Sequence, residues 1–346
     1  MKLLLISVKS ASPNGGIAVW TNHFLAHCEK KGIDCHLVNT EIIGKRNLTG
    51  KRRIWDELTR TIRIVRGLKR QLKCHHFDAV YLNTSCGNFG LFRDAWLGYL
   101  VCKKGIPLIT HYHCEIPYWV KRNASIYVLG KLVGMSRHNL VLCQNSQSFL
   151  QKHYGVSANK VPNFVDSRLV LTAPKPIAGP VTNVLFVGNV TEHKGAAELY
   201  EIARRLPKIH FTLIGKANES VTAWPRPNNL ALIGHLSQEK VIQQLDQADV
   251  FLFPSHTEGC SMALMEAMAR GLPAIATDTG ANAEMLADGC GFVVPLHDVD
   301  AMVKALAQLN DPTVRQTTSM KASNRIKQKY TNKNINVIFG LIQQIH

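Results

Sequence analysis

The chain is short of several things, and each shortage narrows what it can be. No stretch approaches the roughly 20 apolar residues that a membrane-spanning helix needs. The opening Met1-Lys-Leu-Leu-Leu-Ile-Ser-Val8 is too brief for a secretory signal and is followed by no small-residue cleavage site, so it reads as a first buried strand. The nine cysteines, at 28, 35, 74, 86, 102, 114, 143, 260 and 290, include no Cys-x-x-Cys pair. That argues against a disulfide scaffold and a zinc cluster, and for a reducing, cytoplasmic setting. No Gly-x-Gly-x-x-Gly spacing occurs, so a dinucleotide fingerprint is absent. Acids are scarce in the first half. Residues 1–163 hold 24 Lys/Arg and 8 Asp/Glu (24 − 8 = +16), against 17 and 16 (17 − 16 = +1) in residues 164–346. Such asymmetry points to an anionic partner met by one domain only.

What is present is a globular α/β pattern. Apolar residues make up 46% and charged residues 19% of 346, enough for two domains with their own cores. Short apolar runs of strand length alternate with helix-length segments. In the first half the strands fall at Leu3–Val8, Cys35–Asn39, Ala79–Asn83, Leu108–His111 and Leu140–Gln144, with helices at Ala18–Lys31, Arg53–Lys73, Phe92–Lys103, Tyr118–Val133 and Ser146–Tyr154. The second half repeats the alternation from Val184 to Leu309. The expected organisation is a Rossmann-like domain over 1–163, an interdomain linker over 164–180, a second Rossmann-like domain over 181–330, and a C-terminal segment, 331–346, returning to the first domain as a helix. Two doubly wound sheets joined this way are expected to leave a ligand cleft.

The most informative stretch is Glu258-Gly-Cys-Ser-Met-Ala-Leu-Met-Glu266-Ala-Met-Ala-Arg-Gly271. A strand-length run, Ala248–Pro254, precedes it, and Ala274–Thr277 follows, as a parallel βαβ unit requires. The N–H groups of Cys260, Ser261 and Met262 would open a helix and suit an anion such as a diphosphate. Glu258 in the turn could reach one side of it. Glu266, two turns into the helix, could accept hydrogen bonds from paired hydroxyls such as those of a ribose. The plainer reading of either acid is a structural ion pair.

Other residues fit a phosphate-handling site. Gly15-Gly16 closes a loop between the first strand and helix, where glycine lets backbone approach a phosphate. In Phe186-Val-Gly188-Asn189-Val-Thr-Glu-His-Lys194-Gly195, Lys194 sits ahead of a helix and could offset diphosphate charge. His111-Tyr-His113 ends a strand and would aim a histidine, with a proton available near neutral pH, into the cleft. Metal binding there, beside Cys114 and Glu115, is disfavoured because successive strand residues diverge. Asp298-Val-Asp300 precedes a helix, so one aspartate reads as its N-cap rather than a metal ligand. Lys51–Lys73 carries Ile54, Leu58, Ile62, Val65, Leu68 and Leu72 at helical spacing among arginines and lysines, a basic amphipathic helix suited to an anionic membrane surface.

Together these residues resemble the retaining glycosyltransferases of family 4, which have the GT-B fold of two Rossmann-like parallel-sheet domains facing across a cleft. Glu258 and Glu266 match the family's paired glutamates, and Glu266–Pro273 follows its consensus. Gly188 and Lys194-Gly195 match its phosphate-side turn, Pro162–Asp166 its hinge, Gly15-Gly16 its glycine loop, and His113 its cleft histidine. The resemblance implies that Glu266 holds the donor ribose, Lys194 the diphosphate and Glu258 the transferred sugar, with His113 lining the sugar pocket. It also implies retention of anomeric configuration through an oxocarbenium-like species, with no metal or other cofactor. Asn189 departs from the pattern, standing where most members carry a diphosphate-binding arginine, and Ala281 stands where a second glycine is common.

The implied function is transfer of a hexose from a nucleotide-sugar, UDP-hexose on family frequency, to a glycan or lipid-linked acceptor in cell-surface polysaccharide or lipopolysaccharide biosynthesis. The protein would work peripherally on the inner face of the cytoplasmic membrane, with no nucleic-acid partner, since aromatic stacking patches are missing from the basic half. Two alternatives are a nucleotide-sugar epimerase of the same fold and a non-catalytic basic protein that binds membrane or nucleic acid.

Overall fold

The structure is a computed structural model that describes residues 1–10, 15–42, 54–173 and 175–345. The chain divides into two compact units, Met1–Val161 with Ile335–His346, and Pro162–Asn334.

In the first unit, strands β1 (Lys2–Ser7), β2 (Asp34–Asn39), β3 (Ala79–Thr84), β4 (Leu108–Tyr112), β5 (His138–Val141) and β6 (Asn159–Lys160) form one sheet in the order β2-β1-β3-β4-β5-β6. Every neighbouring pair is parallel. Parallel strands covered on both faces read as near-continuous apolar runs, and Leu3 to Ile6 and Ala79 to Leu82 are fully buried. Helices α1 (Gly16–Lys30), α2 (Ile54–Cys74), α3 (Asn88–Cys102), α4 (Ile116–Trp119), α5 (Asn123–Met135) and α6 (Gln144–Tyr154) make the crossovers.

The single helix expected over Tyr118–Val133 is two, because the backbone leaves helical geometry at Val120 (φ −102°, ψ 80°). The α3 helix starts four residues before the expected Phe92; its cap position is Gly87, which offers no side chain to signal the start. Lys51–Arg53 of the basic helix lie outside the described residues. In the described part of that helix the apolar residues divide: Ile64, Val65 and Leu68 are buried in the unit's core, whereas Trp55, Leu58 and Ile62 stay exposed.

The second unit carries β7 (Asn183–Val187), β8 (His210–Ile214), β9 (Leu230–Gly234), β10 (Val250–Phe253), β11 (Ala274–Thr277) and β12 (Phe292–Val294), in the order β12-β11-β10-β7-β8-β9, again all parallel. Helices α7 (Ala196–Arg205), α8 (Glu219–Thr222), α9 (Gln238–Gln247), α10 (Met262–Ala269), α11 (Asn282–Leu286), α12 (Val299–Leu309) and α13 (Pro312–Lys329) belong to it. Residues 164–180, read as a linker, group with this unit. Val165 N–H donates to the Tyr330 carbonyl at 2.9 Å, and the fully buried Arg315 donates to the carbonyls of Ala178 and Gly179. The last helix, α14 (Lys333–Gln343), belongs mostly to the first unit, where Phe339 stacks on Phe24 at 5.3 Å and His27 at 5.2 Å.

Strand order reverses direction between β1 and β3 in one sheet and between β7 and β10 in the other. Open α/β sheets take ligands beyond the carboxyl ends of strands at such switch points.

Candidate donor site

The second switch point gathers most of the expected site. The turn after β7 runs through Gly188 and Asn189 to a short 3₁₀ turn, Glu192–Lys194, before α7. The turn after β10 carries Glu258. Although 64 residues separate them, Lys194 Nζ lies 2.5 Å from Glu258 Oε1, with the carboxylate side chain only 11% exposed. Two glycines make this approach possible. Gly195 holds φ of 79°, and a Cβ there would run into the Pro254 carbonyl. Gly280 holds φ of 54°, and a Cβ there would strike the carbonyls of Glu258 and Gly259. Neither turn could sit this close with any other residue. Ala281, the other departure from the family pattern, packs here without strain, donating its N–H to the Gly259 carbonyl.

Helix α10 begins at Met262, with Ser261 as its N-cap: Ser261 Oγ accepts the Leu264 N–H at 3.3 Å. Just ahead of the cap, the Cys260 carbonyl accepts a hydrogen bond from Asn163 Nδ2 at 2.8 Å. Asn163 is buried, and its Oδ1 has no partner among the described residues. This anchor went unread as a site residue, although the Pro162–Asp166 signature contains it. Glu266 is part-buried on α10 and accepts one hydrogen bond, from Gln238 Nε2 at 3.3 Å. Burial of its carboxyl group pushes its pKa from 4.5 up to about 7. The position matches the expected polar intrusion on an apolar helix, since Leu264, Met265, Ala267 and Met268 around it are all buried.

Asn189 is exposed. Its neighbour Val190 donates to the Lys216 carbonyl at 2.9 Å, which brings an exposed lysine to the same end of the sheet. Asp298 caps α12 by accepting the Ala301 N–H at 2.8 Å, and Asp300 pairs with Arg205, so the Asp-x-Asp pair is structural.

In the first unit, Gly15 is the N-cap of α1 at φ 110°, with its carbonyl accepting from Ala18 and Val19. Gly15 and Gly16 are exposed, and residues 11–14 of their loop lie outside the described residues. His113 follows β4. Its ring lies 4.1 Å from that of His111 and 5.1 Å from that of Trp20.

A chain of hydrogen bonds sets the His113 tautomer. Thr21 donates to the Ile17 carbonyl, so Ser7 donates to Thr21 at 2.6 Å; Asn83 Nδ2 donates to Ser7 at 2.9 Å. Asn83 Oδ1 therefore faces His113 Nε2 at 3.0 Å as an acceptor, and Nε2 carries the hydrogen. Nδ1 is left as a bare acceptor with no partner among the described residues. Burial and the neighbouring His111 hold His113 well below 6.5, so the expected proton at neutral pH is not there. His111 is buried among Tyr81 and the Val161 carbonyl and pushed by burial to about 3. Among the described residues, no metal-ligating group forms around these histidines.

The expectation that aromatic patches are missing is also corrected. Phe89, Phe92, Trp96 and Tyr99 recur at helical spacing along α3 and are all exposed, from 47% to 61%. Their spread through a mostly apolar segment hides the pattern until the buried face of the helix is known.

Comparison with known proteins bears on the family and the fold. The family model for glycosyl transferases group 1 matches residues 173–339, and that for Glycosyltransferase Family 4 matches residues 14–169. The putative colanic acid biosynthesis glycosyltransferase WcaL of Escherichia coli is 30% identical over 39% of this chain, a stretch that spans 38% of that relative. Among solved structures, sucrose-phosphate synthase of Thermosynechococcus elongatus superposes with a TM-score of 0.82 at 16% identity, covering 99% of this chain and 98% of that one. Anabaena HepE in complex with UDP and glucose gives 0.74 at 16% identity, covering 98% of both chains. Two parallel sheets of this order, matched from end to end, are those of the GT-B fold. With the group 1 model on its second half and the Family 4 model on its first, the chain belongs to the glycosyltransferases.

Proposed function

We propose that this protein transfers a hexose from a UDP-sugar to a glycan or lipid-linked acceptor in cell-surface polysaccharide or lipopolysaccharide biosynthesis, with retention of anomeric configuration. The observation that carries the reading is the Lys194–Glu258 pair at the switch point of the second sheet, with Glu258 in the turn that leads into α10 at Met262. The pair is poised to open: Lys194 exchanges the carboxylate for the donor diphosphate, and Glu258 turns to hydroxyls of the transferred sugar. Glu266 accepts the ribose hydroxyls. The start of α10 at Cys260, Ser261 and Met262 adds its dipole to the same anion.

Charge accumulates on the departing diphosphate as the glycosidic bond breaks. Lys194 and the helix start stabilise it, which is the main catalytic work. Gly188 and Asn189 border that anion; Asn189 lends only an amide, and Lys216 supplies the second cation. His113, held neutral, acts as no acid, and its Nδ1 can serve only as an acceptor. No cofactor is required, because lysine and helix dipole do the work that a divalent ion would do on the diphosphate.

The acceptor side falls to the first unit. The basic face of α2, with Arg66, Lys69, Arg70 and Lys73 exposed, suits an anionic membrane surface. The exposed aromatics of the neighbouring α3 suit its headgroup layer. Among the described residues no helix is long and apolar enough to cross a membrane. Such a protein would bind peripherally on the cytoplasmic face.

The test is turnover. The protein is incubated with UDP-, GDP- and ADP-hexoses and polyprenyl-diphosphate-linked glycans in vesicles, and nucleotide release and product are measured. A UDP-hexose is expected to react and Glu266→Ala to abolish it. Turnover unchanged in Glu266→Ala, or acceptor-independent isomerisation of the donor, would overturn the proposal.

A further inference from the structure

The second unit holds a side-chain cluster that the transfer reaction does not use. Glu198 lies in the first turn of α7, His256 in the turn after β10, and His297 just ahead of α12. Glu198 Oε1 lies 2.8 Å from His256 Nε2 and 2.8 Å from His297 Nδ1, across 58 and 99 residues of sequence. One ligand atom from each residue falls within 4.8 Å of the other two, and no other group of three His, Cys, Asp or Glu among the described residues does so.

From these side chains we propose a binding site for one divalent transition-metal ion of the zinc class, formed by Glu198, His256 and His297. The donor set is two imidazoles and one carboxylate, a set that zinc accepts with a fourth position left for water. Bonds of about 2.0–2.1 Å in a tetrahedron put neighbouring ligand atoms about 3.3 Å apart, so the 2.8 Å spacings here need only a slight outward shift.

Two further observations point to an ion. The Glu198 carboxylate is buried at 6% exposure, yet only Oε1 is engaged; Oε2 has no partner among the described residues. A buried carboxylate left half-satisfied is costly, and a cation answers both oxygens. His297 also holds a left-handed φ of 62°, a conformation histidine adopts at a cost, and one that turns its ring onto Glu198. The exposure of the His297 side chain, 64%, gives an ion a path in.

The ion would take no part in bond breaking. It would pin two turns together: His256 is two residues before Glu258, and Glu198 is four after Lys194. His256 N–H already donates to the His193 carbonyl at 2.9 Å along the same seam.

The test uses the full chain, stripped with chelator and titrated with zinc against a chromogenic zinc indicator at about pH 7.5, where ligands shed their protons. The expected result is one zinc bound at micromolar affinity or tighter, weakened at least tenfold in His297→Ala and in Glu198→Gln. Because His297 is exposed, its variant folds, and thermal unfolding checks this directly. Zinc should raise the unfolding temperature of the parent and not of His297→Ala. Cobalt in place of zinc should give visible ligand-field bands without thiolate charge transfer, which separates this site from the nine cysteines. Absence of bound zinc, equal affinity in His297→Ala, or a thiolate band would overturn the proposal.

Discussion

Replacing Glu266 by glutamine should make the protein more stable while removing its donor site, and the gain should depend on pH in a defined direction. The folded carboxyl holds its proton up to about 7, against 4.5 for the free group. Between those values the folded chain binds more protons than the unfolded one, so stability falls as pH rises. The loss begins near the unfolded value and is complete above about pH 7. At about 1.4 kcal/mol per pH unit, the gap from 4.5 to about 7 sets a ceiling of roughly 3 kcal/mol. The side chain is only part-buried, and Gln238 donates to it, so about 1–2 kcal/mol is expected after screening. Glutamine keeps the Gln238 contact and never ionises. For a unit of this size each 1 kcal/mol moves the midpoint by about 2–4 °C. Thermal unfolding of both proteins from pH 4.5 to 8.5 should show the curves diverging with pH and Glu266→Gln melting several degrees higher above pH 7. A difference independent of pH, or a variant less stable at pH 8 than its parent, would refute the reasoning.

Gly280→Ala places a Cβ against the carbonyls of Glu258 and Gly259 at a left-handed φ; it should cost at least about 1 kcal/mol and weaken donor binding, read by denaturation and calorimetry. Asn83→Leu strips the acceptor from His113 Nε2–H and a donor from Ser7; it should cost about 1–3 kcal/mol and lower turnover, read by urea denaturation and nucleotide release. Phe92→Ser with Trp96→Ser should leave unfolding temperature unchanged, since both side chains are about half exposed, but reduce co-sedimentation with anionic vesicles. Retention of full vesicle binding would move the membrane contact elsewhere.

The sheets were legible because parallel strands covered on both faces carry apolar runs along their whole length, as Leu3–Ile6 and Val250–Phe253 do. The Glu258 and Glu266 turn and helix were legible because an acid in Met262–Ala269 has no packing reason to be there. What was hidden depends on contact between distant segments. Lys194 and Glu258 each stood out, but nothing local pairs them. Asn83, which sets the His113 tautomer, is one polar residue in a buried strand and acquires meaning only through Ser7 and Thr21. Glu198, His256 and His297 meet only through folding. Helix α13 went unread despite Asp311, whose side chain caps it, and Pro312 at its first position, because its apolar periodicity is weak.

The most direct measurement is calorimetric titration of UDP into the protein as purified, without added metal, and into Lys194→Ala and Glu266→Ala. If the switch point of the second sheet holds the donor, UDP binds the parent, and each variant loses at least tenfold in affinity, about 1.4 kcal/mol. Equal UDP affinity in all three proteins, or no binding of any nucleotide diphosphate to the parent, would contradict it.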